Sequence, residues 1–363
     1  MKASTTTVVA VVSIAFAAVN ISTIFNAIFR AASFPLDPTA SSGTIEPTSD
    51  AELTQRVRGK NALVVGGTKG IGSGIALQLA RAGAHVLIVG RSNGESVVER
   101  MRAVAPAGTA AASQRLLAAS ADLSTSAGCK SLVTALSRGR DRSGDDNRFD
   151  FIFFTVGVWP DWDDPFTMDG VERVVAIDLR ARHLVLQGLA KTGALAPGAR
   201  IVNTLAPTQR FPFLSEADIR QRLSTARTAA PSNLYAGLMP VAVAADAWLR
   251  VAVARLQADH GVALGAALSM FPGLIATGLH EQSFRRWPLV SALLTYAMRP
   301  VAITAEASGR AHLDIITSPK LTDAATVFAN HLRETRLTHP LAYDEQLGEF
   351  VYDFLEQDCR ADI

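Results

Sequence analysis

Short apolar runs alternate with longer segments of helical periodicity from residue 60 to residue 273. Strands joined by helices at this spacing form right-handed βαβ units, with helices on both faces of a parallel sheet. The pattern therefore predicts an α/β fold with a doubly wound parallel sheet. The predicted strands are 62–66, 85–90, one within 113–123, 149–157, 199–206 and 262–273, and the clearest helices are 171–190 and 240–260.

The start of the predicted helix 240–260 is marked by a proline. Pro240 suits a first helical position, because a proline lacks the N–H that would be unsatisfied there. We therefore expect LYAGLM (234–239) to form the loop that precedes this helix.

The first 36 residues differ from the rest of the chain, since no charge occurs from residue 3 to residue 29. A helix over 8–28 would be about 30 Å long at about 1.5 Å per residue, enough to cross the hydrocarbon core of a bilayer. We expect 1–36 to be a hydrophobic helix that anchors the protein in a membrane of endoplasmic-reticulum type. A cleaved secretory or organellar signal and a buried helix are the alternatives. The polar segment 37–58 predicts a linker, which leaves 59–363 as one domain.

Composition limits the classes of partner. The chain has 363 residues, of which 48% are hydrophobic, and its net charge is only +2. No basic run is dense enough to predict nucleic-acid binding. The two cysteines, Cys129 and Cys359, are far apart and outside any Cys/His cluster, so we expect neither a disulfide framework nor a metal site.

A glycine-rich segment, VVGGTKGIGSGIA (64–76), occupies the first strand-to-helix turn. Gly66, Gly70 and Gly72 have the spacing G-x-x-x-G-x-G. Glycine permits positive φ and a close approach of the backbone to a pyrophosphate, and the free N–H groups of the next helix then face the phosphates. We interpret this turn as a dinucleotide site, with a tight helix-packing turn as the alternative.

With this turn the chain resembles the short-chain dehydrogenase/reductase family, whose usual motif is T-G-x-x-x-G-I-G. Val65 stands at the threonine position. The resemblance extends over about residues 60–280. It implies a Rossmann-type NAD(P)-binding domain, an oxidoreductase that acts on a small molecule, and a possible homodimer.

Other motifs of the family follow in order. Asp122-Leu123 is similar to the pair that contacts adenine, and Pro272-Gly273 with Thr277 is similar to the P-G-x-x-x-T beside the nicotinamide. Gly157 takes the last position of N-N-A-G, after Phe154, Thr155 and Val156. The resemblance thus implies a cofactor site made of Gly66, Thr68, Lys69, Gly70, Ile71, Gly72, Arg91, Asp122, Leu123, Gly157, Pro272, Gly273 and Thr277.

The residues near the expected ribose favour NADP(H) over NAD(H). An acidic residue at the end of the second strand would bind the ribose 2′-OH of NAD, but Gly90 stands there. Arg91 and Lys69 suit a 2′-phosphate, because cations pair well with phosphate oxygens. The alternative is that both are ordinary surface cations.

The catalytic positions of the family are not matched. Its members use a tyrosine, a lysine four residues later that lowers the tyrosine pKa, a serine and an asparagine. The asparagine position holds Asp178, the serine position is close to Ala206, and the tyrosine and lysine positions fall near Ala242 and Asp246. No lysine occurs from 192 to 319. The lysine ammonium group that would lower the pKa of a catalytic tyrosine is therefore absent from this region.

The best remaining catalytic candidates are Tyr235, Thr204 and Thr208, with charge supplied by one of the nearby arginines. Asp246 is a candidate base, although a solvent-facing position on its helix is the simpler expectation. One hypothesis is an NADP(H)-dependent oxidoreductase with non-standard catalytic residues. The other is a catalytically inactive dinucleotide-binding sensor or scaffold. The nearby arginines that could supply charge to the catalytic candidates are Arg210, Arg220 and Arg222.

The segment 278–300, GLHEQSFRRWPLVSALLTYAMRP, occupies the position of the family's substrate lid and is mostly apolar. It suits a hydrophobic carbonyl or alcohol substrate. Because arginines flank it, association with a membrane surface is a second possibility, and packing on the protein's own core is a third.

Overall fold

The computed structural model describes residues 43–107, 114–141, 148–206, 213–275, 284–285, 288–298, 302–321, 326–335 and 338–360. The predicted anchor 1–36 lies outside these residues, as do Thr208, Arg210 and Thr277.

A single parallel sheet of seven strands forms the centre of the described structure. The strand order is β3-β2-β1-β4-β5-β6-β7, so the direction of winding reverses between β1 and β4. The sequence correctly predicted this doubly wound sheet and its first six strands, but it missed β7. The strands are β1 Asn61–Val65, β2 His85–Gly90, β3 Leu116–Ser120, β4 Phe149–Phe154, β5 Leu195–Thr204, β6 Ala266–Phe271 and β7 Thr326–Asn330.

Helices cover both faces of this sheet. The fifth has three parts: Arg173–Val175, a π-helical turn Ala176–Arg180, and Ala181–Lys191. We call the whole helix α5. The other helices are α1 Asp50–Val57, α2 Gly70–Arg81, α3 Gly94–Val104, α4 Ser126–Asp141, α6 Glu216–Ser224, α7 Leu234–His260, α8 Pro288–Met298, α9 Ala305–Ile316 and α10 Glu345–Arg360.

Alternate residues of each strand point to opposite faces of the sheet, and both faces are buried. Leu63 and Val65 of β1 pack in one cluster with α4, α5, α7 and α10. Ala62 and Val64 pack in the other cluster with α1, α2, α3 and α9. This burial explains why the strands appear in the sequence as continuous apolar runs.

The helix α7 starts six residues before the proline that was expected to begin it. Asn233 caps α7, because its side-chain oxygen accepts a hydrogen bond from the Ala236 N–H at 2.9 Å. Pro240 therefore lies inside the helix, and the prediction of a loop over 234–239 is wrong. A polar cap at Asn233 was the stronger start signal.

Among the described residues, α7 is the one helix long and apolar enough to cross a membrane. Its most apolar 18-residue window has a mean hydropathy of 1.5, and 83% of that window is buried inside the protein. Trp248 at its centre is fully buried. We therefore describe α7 as a core helix.

Part of the predicted linker packs on the domain. Ile45, Leu53 and Val57 are buried, and Ser49 and Glu52 form a capping box at the start of α1. The buried carboxylate of Asp314 also accepts the backbone N–H of Thr48 at 3.2 Å. Residues 43–57 therefore contribute to the folded structure.

Candidate active site

The glycine turn after β1 lies where the winding of the sheet reverses. The Gly66 N–H donates to the Val89 carbonyl of β2 at 2.8 Å, and the Thr155 N–H after β4 donates to the Val65 carbonyl at 2.8 Å. In open α/β sheets, the carboxyl ends of the strands at such a reversal form the usual crevice for a ligand.

Two of the motif glycines leave no room for a side chain. Gly66 has φ +94°, and a Cβ there would lie 2.5 Å from the Val156 nitrogen. A Cβ on Gly72 would lie 2.3 Å from the Gly66 carbonyl oxygen. Gly70, with φ +50°, also has a left-handed backbone. The glycine spacing seen in the sequence is thus a requirement of this turn.

The turn is further fixed by Thr155, a residue that the motifs did not indicate as functional. Its hydroxyl donates to the Val65 carbonyl at 3.0 Å. The same hydroxyl lies against Gly66 and Gly72, where it would contact an added Cβ at 2.9 and 2.5 Å. Its place beside Gly157, within the segment aligned with N-N-A-G, was the available signal.

The start of α2 presents its N–H groups towards this crevice. Lys69 is the N-cap residue, and its exposed side chain makes no capping hydrogen bond. Thr68 and Ile71 on either side are half-buried. The helix α2 has twelve residues, and its uncapped first turn provides N–H donors and a positive dipole end for an anion.

Gly90, at the end of β2, is packed against Thr68. A Cβ on Gly90 would lie 2.3 Å from the Thr68 hydroxyl oxygen and 2.6 Å from its methyl carbon. An acidic side chain does not fit at this position unless Thr68 moves. Arg91 follows with an exposed side chain, and its carbonyl accepts the Ser120 hydroxyl at 3.3 Å.

The pair Asp122-Leu123 lies directly after β3. The Leu123 side chain is buried, whereas Asp122 is exposed, and its carboxylate accepts the N–H and hydroxyl of Ser124 at 3.1 and 2.8 Å. This turn ends at the same edge of the sheet as the glycine turn.

Pro272 and Gly273 lie directly after β6. The Pro272 carbonyl accepts the Ser308 hydroxyl at 2.9 Å. Gly273 has φ +86°, and a Cβ there would lie 2.8 Å from the His331 ring. The third residue of this motif, Thr277, lies outside the described residues, so its role remains a prediction.

Asp178 lies in the π-helical turn of α5, next to Gly157. Its Oδ1 accepts the Val158 N–H at 3.1 Å and would be 3.3 Å from a Cβ on Gly157. Burial raises the pKa of Asp178 to about 7, although Arg182 opposes this rise. Single π-helical turns occur often at functional sites.

Arg182, one helical turn after Asp178, is a buried cation that the motifs did not predict. Its guanidinium donates to the Asn203 side chain, to the Val156 carbonyl at 2.7 Å and to the Thr204 carbonyl at 3.0 Å. Burial lowers its pKa to about 10, so it stays charged at neutral pH. The i, i+4 spacing of two charges within an apolar helix was the available signal.

Asp246, near the lysine position of the family, was expected to face solvent, but its side chain is buried. Its carboxylate accepts the Ser269 hydroxyl at 2.5 Å and the Thr338 hydroxyl at 2.8 Å. These bonds join α7 to β6 and to the segment before α10. Asp246 therefore has a structural role in the described residues.

The candidate Thr204 lies at the end of β5 with its hydroxyl on the α9 side of the sheet. The hydroxyl is 3.1 Å from Nε2 of the fully buried His312. His312 Nδ1 is 2.7 Å from the Ser308 carbonyl, which can only accept, so Nδ1 carries the proton and Nε2 accepts from Thr204. Burial lowers the pKa of His312 to about 4 and keeps this ring neutral.

The candidate Tyr235 lies in the first turn of α7, and 40% of its surface is exposed. Partial burial and nearby Asp218 raise its pKa, whereas a proton-transferring tyrosine in this family needs a lowered one. Arg222 binds the buried Glu172. Arg220 pairs with a glutamate of its own helix and stacks on Phe350. The expected charge from these arginines is therefore engaged elsewhere.

The doubly wound sheet with a glycine turn at its reversal point defines a Rossmann-type α/β protein. Residues 60–215 match the family model described as short chain dehydrogenase. This match confirms, for these residues, the resemblance to the short-chain dehydrogenase/reductase family that the motifs predicted.

One curated relative is the 3-ketodihydrosphingosine reductase TSC10 of Cryptococcus neoformans. It is 45% identical over 53 residues, which are 14% of this chain and 16% of that protein. The match thus spans less than one fifth of the relative's length.

Solved structures share the fold at low sequence identity. A protein from Mycobacterium paratuberculosis has a TM-score of 0.59 at 17% identity, over 87% of this chain and 98% of the other. The angucycline C-6 ketoreductase LanV, solved with bound NADP, has a TM-score of 0.52 at 19% identity, over 76% and 95%. These similarities concern the fold.

Proposed function

We propose that this protein is an NADP(H)-dependent oxidoreductase that transfers hydride between the nicotinamide and the carbonyl or alcohol carbon of an apolar substrate. The observation that carries the proposal is the turn after β1, where Gly66 and Gly72 permit a tight turn against 155–156 and α2 presents uncapped N–H groups to an anion. The family match over 60–215 supports the same reaction class.

The preference for NADP(H) rests on four residues at the ends of β1 and β2. Thr68 fills the space that an acidic side chain at Gly90 would need, and such a side chain is the usual ligand of the NAD ribose. Lys69 and Arg91 are exposed at the same edge and carry the charge that a 2′-phosphate requires. The NADP bound to LanV is consistent with this choice.

An apolar ketone is the substrate class that we favour. The helix α8 exposes Leu289 (85%) and Tyr296 (56%), as a surface that meets an apolar ligand would. Arg285, before α8, pairs with the buried Asp161 in the loop after β4 at 2.7 Å, which ties this segment to the edge that carries Gly157. The relative TSC10 is named for a 3-keto substrate, which agrees with reduction of a ketone.

Membrane attachment through 8–28, with the domain on an endoplasmic-reticulum-type membrane, is part of the proposal. A homodimer is a further expectation from the family. Extraction of the full-length protein and of a 43–363 variant from membranes tests the anchor, because 43–57 belongs to the folded domain.

The second candidate is a dinucleotide-binding sensor or scaffold without turnover. This candidate is favoured by Asp246, which lies near the family's lysine position. Its two carboxylate oxygens accept hydrogen bonds from the hydroxyls of Ser269 and Thr338. A sensor would keep the cofactor crevice and change its contacts with a partner when the nicotinamide is oxidised.

Cofactor titration followed by a turnover assay separates the two candidates. Purified full-length protein is titrated with NADPH and NADH, and NADPH oxidation is then followed with 2-alkanones of eight to fourteen carbons. We expect tighter binding of NADPH and oxidation with the longer ketones. Tight binding without any oxidation would support the sensor, and no binding of either nucleotide would contradict both candidates.

A further inference from the structure

The proposed reaction needs a group that gives a proton to the substrate oxygen, and the described candidates of the family type do not suit it. Tyr235 has a raised pKa. Both carboxylate oxygens of Asp246 accept hydrogen bonds from hydroxyl groups. The Thr204 hydroxyl donates to His312 on the face of the sheet that α9 covers. Among the described residues, turnover therefore requires a different acid.

Asp178 has the right place for this acid. It occupies the asparagine position of the family and lies against Gly157, in the segment that follows β4. The π-helical turn Ala176–Arg180 displaces the helix backbone locally at this residue. One carboxylate oxygen is held by the Val158 N–H at 3.1 Å, while the residue keeps part of its surface exposed.

Arg182, one helical turn after Asp178, is a buried cation that binds the ends of two strands. It is 1% exposed and binds the ends of β4 and β5 through the Val156 and Thr204 carbonyls and the Asn203 side chain. Its charge favours the ionised form of Asp178. Arg182 thus supplies the buried cation that the missing lysine supplies elsewhere in the family, but from α5 and not from α7.

We infer that Asp178 is the acid–base group of the reaction. This inference rests on the proposed function. In the reduction, hydride moves from the nicotinamide of NADPH to the carbonyl carbon, and the carbonyl oxygen takes the proton of the Asp178 carboxyl group. The products are the alcohol and NADP⁺, and the Asp178 carboxylate regains a proton from solvent. The reverse reaction uses the carboxylate as the base.

The charges around Asp178 set the pH at which it works. Arg182 on the same helix lowers its pKa, Glu172 before the π-helical turn raises it, and desolvation raises it most, to about 7. The charge of Asp246 on α7 opposes the lowering of the Arg182 pKa by burial. Because reduction needs the protonated carboxyl group, kcat for reduction falls as pH rises above about 7.

The test is the variant Asp178→Asn in the full-length protein, with NADPH and the same 2-alkanones. An amide cannot supply the proton, but its oxygen still accepts the Val158 N–H, so folding is preserved. We expect kcat to fall at least about 100-fold, the usual size of acid–base catalysis, and the pH dependence to vanish, while the NADPH dissociation constant changes less than twofold.

Two further variants make the result specific. Asp178→Glu keeps a carboxyl group, and we expect it to recover part of kcat together with a pH-dependent limb. Asp259→Asn removes an exposed carboxylate of α7 and serves as the matched control. If Asp178→Asn keeps the wild-type kcat and pH profile, the inference is wrong and the proposed function stands. If the wild type binds NADPH but reduces none of the ketones, the proposed function fails and the inference fails with it.

Discussion

The carboxylate of Asp246 on α7 accepts the hydroxyl of Ser269 on β6 at 2.5 Å, and the Thr338 hydroxyl bonds to its second oxygen at 2.8 Å. The family resemblance implies a lysine near this position. Asp246 instead joins a core helix to the sheet.

Restoring a lysine at Asp246 should therefore damage the fold. In Asp246→Lys, an ammonium group is buried beside two hydroxyls and near Arg182, and leaving a buried charge without a partner costs about 3–5 kcal/mol. Asp246→Asn keeps an acceptor for one hydroxyl and should cost only about 1–2 kcal/mol. Urea unfolding of the two variants measures the difference, and a stable, soluble Asp246→Lys protein would contradict the structural role.

The glycine turn gives a prediction with an internal control. Gly66→Ala places a Cβ 2.5 Å from the Val156 nitrogen in a left-handed backbone, so it should weaken NADPH binding more than tenfold and lower the melting temperature. Gly59→Ala introduces the same strain at φ +71° with nothing within 4 Å, and it should cost only the backbone term of about 1–2 kcal/mol. Nucleotide fluorescence titration and thermal unfolding measure both. Equal binding in the two variants would contradict the assignment of the turn.

The sequence was informative where one residue type answers a local requirement. The buried strands required continuous apolar runs, and the turn after β1 required glycines at Gly66, Gly70 and Gly72. These features predicted the sheet, its reversal point and the position of the crevice. The start of α7 was predicted wrongly because Pro240 was taken as its first residue. The side chain of Asn233 caps the helix six residues earlier, so the turns before Pro240 are also helical.

The catalytic region was predictable only in part, because its contacts are long-range. Arg182 and Asn203 are separated by 21 residues along the chain, and Thr204 and His312 by 108. No local pattern marks such pairs, and only the fold brings them together. Asp178 was recognised as the residue at the asparagine position, but its raised pKa depends on burial that the sequence does not show.

Cofactor selectivity should depend on the cation after β2. Under the proposed function, Arg91→Ala removes a charge-assisted hydrogen bond to the 2′-phosphate worth about 1.5–3 kcal/mol, so the dissociation constant of NADPH should rise about tenfold or more while that of NADH stays the same. Arg100→Ala, which removes an exposed cation from α3, is the control and should change neither. A parallel loss of both nucleotides in Arg91→Ala would mean that Arg91 does not bind the 2′-phosphate.

Introducing the family's acidic residue should not convert the protein to NADH. In Gly90→Asp, the new Cβ would be 2.3 Å from the Thr68 hydroxyl, so Thr68 has to move and the start of α2 with it. We expect weaker binding of both nucleotides. The double variant Gly90→Asp, Thr68→Gly relieves the contact, and it should recover NADH binding in preference to NADPH. If the single variant binds NADH more tightly than the wild type does, the packing argument is wrong.

Tyr235 should be dispensable for turnover. It is 40% exposed and its pKa is raised, so its hydroxyl is a poorer acid–base group than free phenol at neutral pH. Tyr235→Phe should keep kcat within about twofold, in contrast to Asp178→Asn. The measurement is NADPH oxidation by the two variants on the same ketone. A large loss in Tyr235→Phe alone would return the catalytic role to the tyrosine.

His312 should make the stability of the protein depend on pH. Burial lowers its pKa from 6.5 to about 4, so below pH 6.5 the unfolded chain binds a proton that the folded protein does not bind. Stability therefore falls as pH drops from 6.5 towards 4, and this group accounts for about 2 kcal/mol between pH 7 and pH 5.

The raised pKa of Asp178 acts in the opposite direction over an overlapping range, so the contribution of His312 appears only as a difference between variants. His312→Gln cannot titrate but can still accept the Thr204 hydroxyl. The expected result is a smaller loss of unfolding free energy in this variant than in the wild type over the same pH interval, measured by urea titration. Parallel pH dependence in the two proteins would show that His312 titrates in the folded state as it does in water.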